Sequence, residues 1–378
     1  MSKSRRAHMI PVSKPYLPAR EKLDAYIDGI YQRAWLTNNG ELVQQLEKRL
    51  KEYLGVEHLL LVANGTLAIQ IALKALGITV RDGLSPAEIV TTPFTFIATA
   101  SAPYWDGADV RFADIDQHTW CLSPDSLDAV ITERTKALLP VHVFGNACDV
   151  EAIDLVAKRH HLKVIYDASH AFGVTLGQQS LLRYGDAATL SFHATKVFHT
   201  IEGGAIVFKN AEDLERARLL INFGITGPDQ IDGLGINAKM NEFQAAMGLS
   251  MLDEIKPNLH ERERVYRRYH KQLDGKVTFQ KKNVYSSRNY SYFPILLPSE
   301  RQTLDLISEL LEERVVCRRY FFPSLDTVKY LSSKDECLVS REIASRVLCL
   351  PIYSDLTNEI IDRICEVVCK VVSSNQSM

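Results

Sequence analysis

Short apolar runs recur along the first half of this chain, and stretches with helical spacing fall between them. His58 to Ala63 (HLLLVA), Ala87 to Thr92, Val110 to Ala113, Lys136 to His142, Leu162 to Asp167 (LKVIYD), Ala187 to Phe192 and Gly204 to Phe208 read as strands. Thr66 to Leu76, Val150 to His160 and Ala211 to Asn222 read as helices, and Leu46 to Leu54 as an amphipathic helix ahead of them. A strand that is apolar throughout is buried on both faces, and alternation with helices supplies the crossovers that parallel strands need. The pattern therefore predicts an α/β fold with a mostly parallel sheet covered on both sides. In such sheets ligands lie beyond the carboxyl ends of the strands.

After residue 240 the pattern changes. Asn241 to Leu273 is polar, favours helix and reads as a bridge to a second unit. Strand-like Tyr290 to Leu297, helix Thr303 to Arg314, strand Val347 to Pro351 and helix Asn358 to Val372 follow. This predicts a large domain over 1–255, with an N-terminal arm, and a smaller α/β domain over 256–378. At 378 residues either can bury a core. The net charge of −2 gives no signal for nucleic acid or an anionic membrane. The basic cluster Lys3, Arg5 and Arg6 has no apolar run behind it, so it is not a secretory signal. No segment reaches the roughly 18 apolar residues a bilayer span needs. Seven dispersed cysteines suit reduced cytosolic thiols, and Cys365 with Cys369, lacking a His or second Cys pair, make a poor metal site. A cytoplasmic protein without metal is expected.

Three strand ends carry polar residues of unusual type. Asn64-Gly65-Thr66 joins a strand to a helix: glycine permits close backbone approach, and the helix start offers free N–H groups to a phosphate. The same residues could be a plain turn with Thr66 as helix cap. Asp167-Ala168-Ser169-His170 ends a buried strand in an acid, which is costly unless paired with a cation such as a pyridinium nitrogen. A capping Asp on the following turn is the plainer alternative. Ser191-Phe192-His193-Ala194-Thr195-Lys196, followed by Gly203-Gly204, sets a lysine among apolar and small residues. Desolvation there would lower its pKa and suit Schiff-base chemistry, and Ser191 could hydrogen-bond the same phosphate. Gly233-Leu-Gly235-Ile-Asn-Ala238 matches G-x-G-x-x-A, but no strand precedes it, so a dinucleotide site is rejected.

Together with LTNNGELVQQLE (36–47), TTPFTFIAT (91–99), PVHVFGNACD (140–149), VIYDASHAFG (164–173), SFHATKVFHTIEGGA (191–205) and GINAKMNEFQAA (235–246), these residues resemble the DegT/StrS family of sugar aminotransferases dependent on pyridoxal 5'-phosphate. The resemblance covers nearly the whole chain. It implies the fold type I architecture of aspartate aminotransferase. Lys196 would carry the cofactor covalently and Asp167 would pair with its ring nitrogen. His170 would lie near its phenolic oxygen, Gly65, Thr66 and Ser191 would hold its phosphate, and Phe96 would cover one ring face. Asn237 would reach the phosphate from a neighbouring subunit, which implies a homodimer with shared sites. Within the family, VSKPYLP, WLTNNGELVQQLE and SFHATKVF look like the members that form dTDP-4-amino-4,6-dideoxyglucose. That likeness implies dTDP-4-keto-6-deoxy-glucose as acceptor, L-glutamate as donor and a place in O-antigen or other polysaccharide sugar synthesis. Amination at C3, or a GDP- or UDP-sugar, stays open, as does a decarboxylase, dehydratase or non-catalytic binder of the same fold. Members that carry histidine in place of the lysine are dehydratases; Lys196 here favours transamination. Arg33, Arg288, Arg318 and Arg319 are candidates for the nucleotide diphosphate, and the sequence does not choose among them.

Overall fold

The computed structural model describes residues 9–78, 81–82, 85–331 and 334–374; Lys3, Arg5 and Arg6 lie outside them. The first two thirds of the chain hold helices α1 (Arg20–Arg33), α2 (Glu41–Leu54), α3 (Gly65–Ala75), α4 (Ala98–Trp105), α5 (Val150–Arg159), α6 (Ala211–Leu220) and α7 (Glu242–Asp253). Their strands are β1 (His58–Val62), β2 (Glu88–Thr91), β3 (Asp109–Phe112), β4 (Thr135–Leu139), β5 (Lys163–Asp167), β6 (Ala187–Ser191) and β7 (Gly204–Phe208). They form one sheet in the order β1-β7-β6-β5-β4-β2-β3. All pairs are parallel except those of β7, which runs antiparallel to both β1 and β6. The reason is local: the 192–203 connection contains no helix, so the chain doubles back instead of crossing over.

Both faces of the sheet are buried, as the apolar strands require. In β1, Leu59 and Leu61 enter the core shared with α2, α5 and α7, while Leu60 and Val62 enter the core under α3 and α6. The period of two sends alternate side chains to opposite faces.

The last third of the chain, where a smaller domain is expected, packs α8 (Ile255–Leu273), α9 (Glu300–Glu312), α10 (Leu338–Arg346) and α11 (Asn358–Ser374) around β8 (Phe293–Leu296) and β9 (Val347–Leu350), an antiparallel pair. Its own core joins Tyr269, Phe293, Leu306, Leu348, Ile364 and Cys365. The arm runs along this domain, Ile10 bridging Val315, and then reaches the large domain, where the Tyr16 carbonyl accepts from His199 Nε2 at 2.8 Å.

Two expectations need correction. Residues 241–273 are not one polar helix. α7 is apolar nearly all round and buried from Ala245 to Leu252, and Glu254 separates it from the polar α8. The strand expected over Tyr290 to Leu297 begins only at Phe293, because Asn289 and Ser291 are used elsewhere. Among the described residues no helix is long and apolar enough to cross a membrane.

Candidate active site

Lys196 sits in the 192–203 loop, which two buried phenylalanines pin on either side of it. Phe198 stacks on Phe172 at 4.5 Å, and Phe192 meets Phe198 edge-on at 4.9 Å. The Phe192 N–H donates to Gly203 and the Thr200 N–H to Phe192, so the loop closes on itself. From α8, Asn258 donates its side-chain N–H to the Val197 carbonyl at 2.9 Å. The lysine is thereby held half-buried, with Nζ donating to the Tyr292 hydroxyl at 3.4 Å. Burial lowers its ammonium to about 8, against the opposing pull of Asp167 and Tyr320. An ordinary exposed lysine titrates near ~10.4. In the cofactor-free protein, acylation of Lys196 should therefore rise through about pH 8, well below the bulk lysines. Peptide-resolved competitive labelling checks this; a profile matching the bulk lysines would remove the case for an activated amine.

Asp167 ends β5 and is buried. Its Oδ1 accepts the Ser169 N–H at 3.0 Å, and its Oδ2 accepts the Thr99 hydroxyl at 2.8 Å. Thr99 in turn meets Thr95 at 2.9 Å. So the acid does cap its following turn, but with one oxygen only. Among the described residues no cationic side chain lies within 4.0 Å of it. A buried carboxylate that accepts two hydrogen bonds and has no cation suits a ligand that brings one.

His170, three residues on, is buried, and its Nδ1 accepts the Phe144 N–H at 3.2 Å, which leaves the proton of the neutral ring on Nε2. Burial, and secondarily Lys196, push its pKa well down, so it stays neutral. Its ring stacks on Phe321 at 5.6 Å and meets Tyr292 edge-on at 4.9 Å. Asn289 and Ser291 donate to the His170 carbonyl, which ties the small domain to this corner.

At the turn that opens α3 the cap is Asn64, not Thr66 as the plain-turn alternative would have it. The Asn64 side chain accepts the Leu67 N–H at 2.9 Å, and the helix starts at Gly65. Gly65 and Thr66 are left with first-turn N–H groups that no helical carbonyl can satisfy. Gly65 also lies directly against Ser191: a Cβ there would come within 2.9 Å of the serine Cβ and 3.3 Å of its Cα. Gly204 is pressed equally closely on the Asn64 carbonyl, at 2.7 Å from such a Cβ, so β7 seats the turn. Gly65→Ala should part the turn from Ser191, cost about 1–3 kcal/mol as overpacking does, and weaken cofactor retention. Thermal midpoints with and without added cofactor measure both, and unchanged values would separate this turn from the site.

The structure thus gathers Lys196, Asp167 and His170 round Tyr292 and Thr99, and joins Gly65 to Ser191. Phe96 is 57% exposed, unlike Phe94, which belongs to the core. Its ring is open to cover a ligand. Asn237 is exposed, and its backbone bridges Asn222; among the described residues its side chain bonds none of the others. His193 and His199 are accounted for without chemistry, the first by Thr195 and the second by the arm. Thr99, Tyr292 and the Phe144–Phe321 aromatic layer were not found by residue type. TTPFTFIAT, which contains Thr99, and PVHVFGNACD, which contains Phe144, gave a signal only as segments. Arg262 of α8 adds a buried guanidinium that donates to the Tyr290 and Ser291 carbonyls, next to Tyr292.

The model of the DegT/DnrJ/EryC1/StrS aminotransferase family matches residues 19–369. A dTDP-4-amino-4,6-dideoxy-D-glucose transaminase of Shigella dysenteriae is 41% identical over 361 residues, covering 93% of this chain and 96% of that protein. One of the same description from Escherichia coli is 37% identical, covering 94% and 96%. The crystal structure of DesI in the presence of its TDP-sugar product superposes with a TM-score of 0.90 at 31% identity, covering 98% of this chain and 94% of that one.

Proposed function

The chain belongs to the DegT/DnrJ/EryC1/StrS aminotransferase family, and from that premise we propose that it binds pyridoxal 5'-phosphate on Lys196 and transfers an amino group from L-glutamate to C4 of dTDP-4-keto-6-deoxy-glucose. The product would be the 4-amino-4,6-dideoxy sugar, made in the cytoplasm for surface polysaccharide such as O-antigen. The observation that carries the reading is the pairing of an amine that burial keeps more readily deprotonated with a buried carboxylate that has no cation of its own. The C4 and dTDP assignments rest on the likeness to the two transaminases above.

The residues fit the cofactor in charge and in donor type. When bound, pyridoxal phosphate supplies the electron sink that makes the Cα–H of an amino acid acidic. Asp167, oriented by the Thr99 hydroxyl and the Ser169 N–H, would hold a proton on the ring nitrogen. The N–H groups of Gly65 and Thr66, with the Ser191 hydroxyl, would hold the phosphate. Neutral His170 would orient the phenolic oxygen, and Phe96 would cover a ring face. Lys196 would hold the cofactor, and its amine, when free, would take the Cα proton of the donor. Positioned transfer of this kind contributes about 10²–10⁴-fold. Tyr292 keeps the freed amine in place. Two subunits complete each other's sites in the proposed homodimer, with Asn237 of the partner subunit reaching the phosphate. The large domain would span 1–255 and the small one 256–378, dividing near the junction of α7 and α8.

The experiment is an absorption spectrum of the purified protein, followed through addition of L-glutamate and then of dTDP-4-keto-6-deoxy-glucose. A visible band that falls with glutamate and returns with the sugar supports both halves. A band that falls and does not return moves the acceptor to another keto-sugar, and no band even with added cofactor defeats the reading.

A further inference from the structure

Both proposed substrates are anions, a dicarboxylate and a nucleotide diphosphate, and the structure sorts the four arginines left open for them. Arg33 is engaged by Glu41 at 3.3 Å and faces buried Glu242 at 4.0 Å. Arg319 binds Glu300 at 2.6 Å and the Ser345 carbonyl at 2.7 Å, with its guanidinium 3.6 Å over the Phe322 ring. Arg288 lies over Tyr266, whose ring packs on Tyr290 and Phe293 in the small-domain core. Arg288 and Arg318 are both exposed, and among the described residues neither has a carboxylate within 4.0 Å; Arg318 is set apart because the ring it lies over, Tyr320, meets Tyr292.

Its backbone is nonetheless fixed. The Arg318 N–H donates to the Cys349 carbonyl at 3.3 Å, and the Cys349 N–H donates back at 2.8 Å, so the residue extends the β8–β9 sheet. Its guanidinium sits 5.4 Å from the Tyr320 ring centroid, with Nη1 donating to the Tyr320 hydroxyl at 3.5 Å. Tyr320 meets Tyr292 edge-on at 5.8 Å, and the Tyr292 hydroxyl accepts from Lys196. A rigidly placed cation without an acid thus stands two aromatic rings from the reactive amine.

We propose that Arg318, steadied by Tyr320, is the anchor for an anionic oxygen group of the substrate, a carboxylate of the amino donor or the diphosphate of the sugar nucleotide. The inference rests on the aminotransferase reading above. A guanidinium presents two parallel N–H donors that match either group, and its fork is lost when lysine replaces it. A cation–π contact holds the head without neutralising it.

The test uses the full-length, cofactor-loaded protein and equilibrium binding rather than turnover. Wild type, Arg318→Gln and Arg318→Lys are each titrated calorimetrically with dTDP and, separately, with glutarate. Loss of a charge-assisted pair lowers affinity by about 10- to 100-fold, with Arg318→Lys in between. Weakening confined to dTDP assigns the diphosphate; weakening confined to glutarate assigns the carboxylate. Arg318→Gln binding both ligands as wild type does overturns the proposal while leaving the aminotransferase intact. Wild type that binds neither ligand defeats the substrate reading and this inference together. Because Arg318 is exposed and has no acidic partner, cofactor uptake should be unaltered, and that control shows that the variants are folded.

Discussion

Lys196→Ala is expected to abolish sustained turnover, with a loss of at least about 10²–10⁴-fold from proton transfer alone. Lys196→Arg should be as inactive, although it keeps the charge, because a guanidinium stays protonated and cannot act as base or nucleophile. That comparison separates a chemical role from an electrostatic one. Stability should move the other way. The folded state lowers the ammonium to about 8, so below that pH the protonated lysine opposes folding; the penalty fades as pH rises from there towards the unfolded value. Lys196→Met should therefore unfold no earlier than wild type at neutral pH. Steady-state assay with glutamate and the keto-sugar, beside thermal melts, measures both, and multiple turnover by either inactive variant would sink the assignment.

Asp167 gives the second large effect. Removing one partner of a buried, hydrogen-bonded charge pair costs about 2–5 kcal/mol, so Asp167→Ala should lower cofactor affinity by about 30- to several-thousand-fold. Asp167→Asn keeps the shape, its oxygen still accepting the Ser169 N–H while its NH2 donates to a reoriented Thr99 hydroxyl, yet it lacks the charge that would hold a proton on a ring nitrogen. It should retain part of the affinity and little of the turnover. Without cofactor, Asn should fold at least as stably as Asp, since a buried carboxylate with no cation is unfavourable. Equilibrium dialysis and melts of the cofactor-free form decide it. Wild-type affinity in Asp167→Asn would reduce the residue to a turn cap.

The central sheet was legible because its strands are apolar on both faces, so β1 and β7 stood out without any neighbours. Helix α1 was missed because Ile30 is its one buried residue, and α4 because it is short, built of small residues and contains Pro103. The Tyr290 to Phe293 segment carries strand-favouring residues, yet its first part turns its polar groups toward the His170 loop, a tertiary demand that local pattern does not carry. The same limit applies in the site. Lys196 and Asp167 were conspicuous as residue types at strand ends. Thr99 and Tyr292 reach them across 68 and 96 positions of chain, where nothing local marks the contact.

Helix α8 belongs to the small domain by sequence order but serves the large one. Asn258 supports the loop of Lys196, and Arg262, one turn later, supports the carbonyls that precede Tyr292. The two halves of the chain are therefore not interchangeable modules. Expressing 9–255 alone would leave the lysine loop without its brace, however complete the sheet. A chimaera with another relative's C-terminal half would inherit that relative's substrate wall and its grip on the lysine together. Exchange of specificity by recombination would have to join after Arg262, so that the brace stays with the loop it supports.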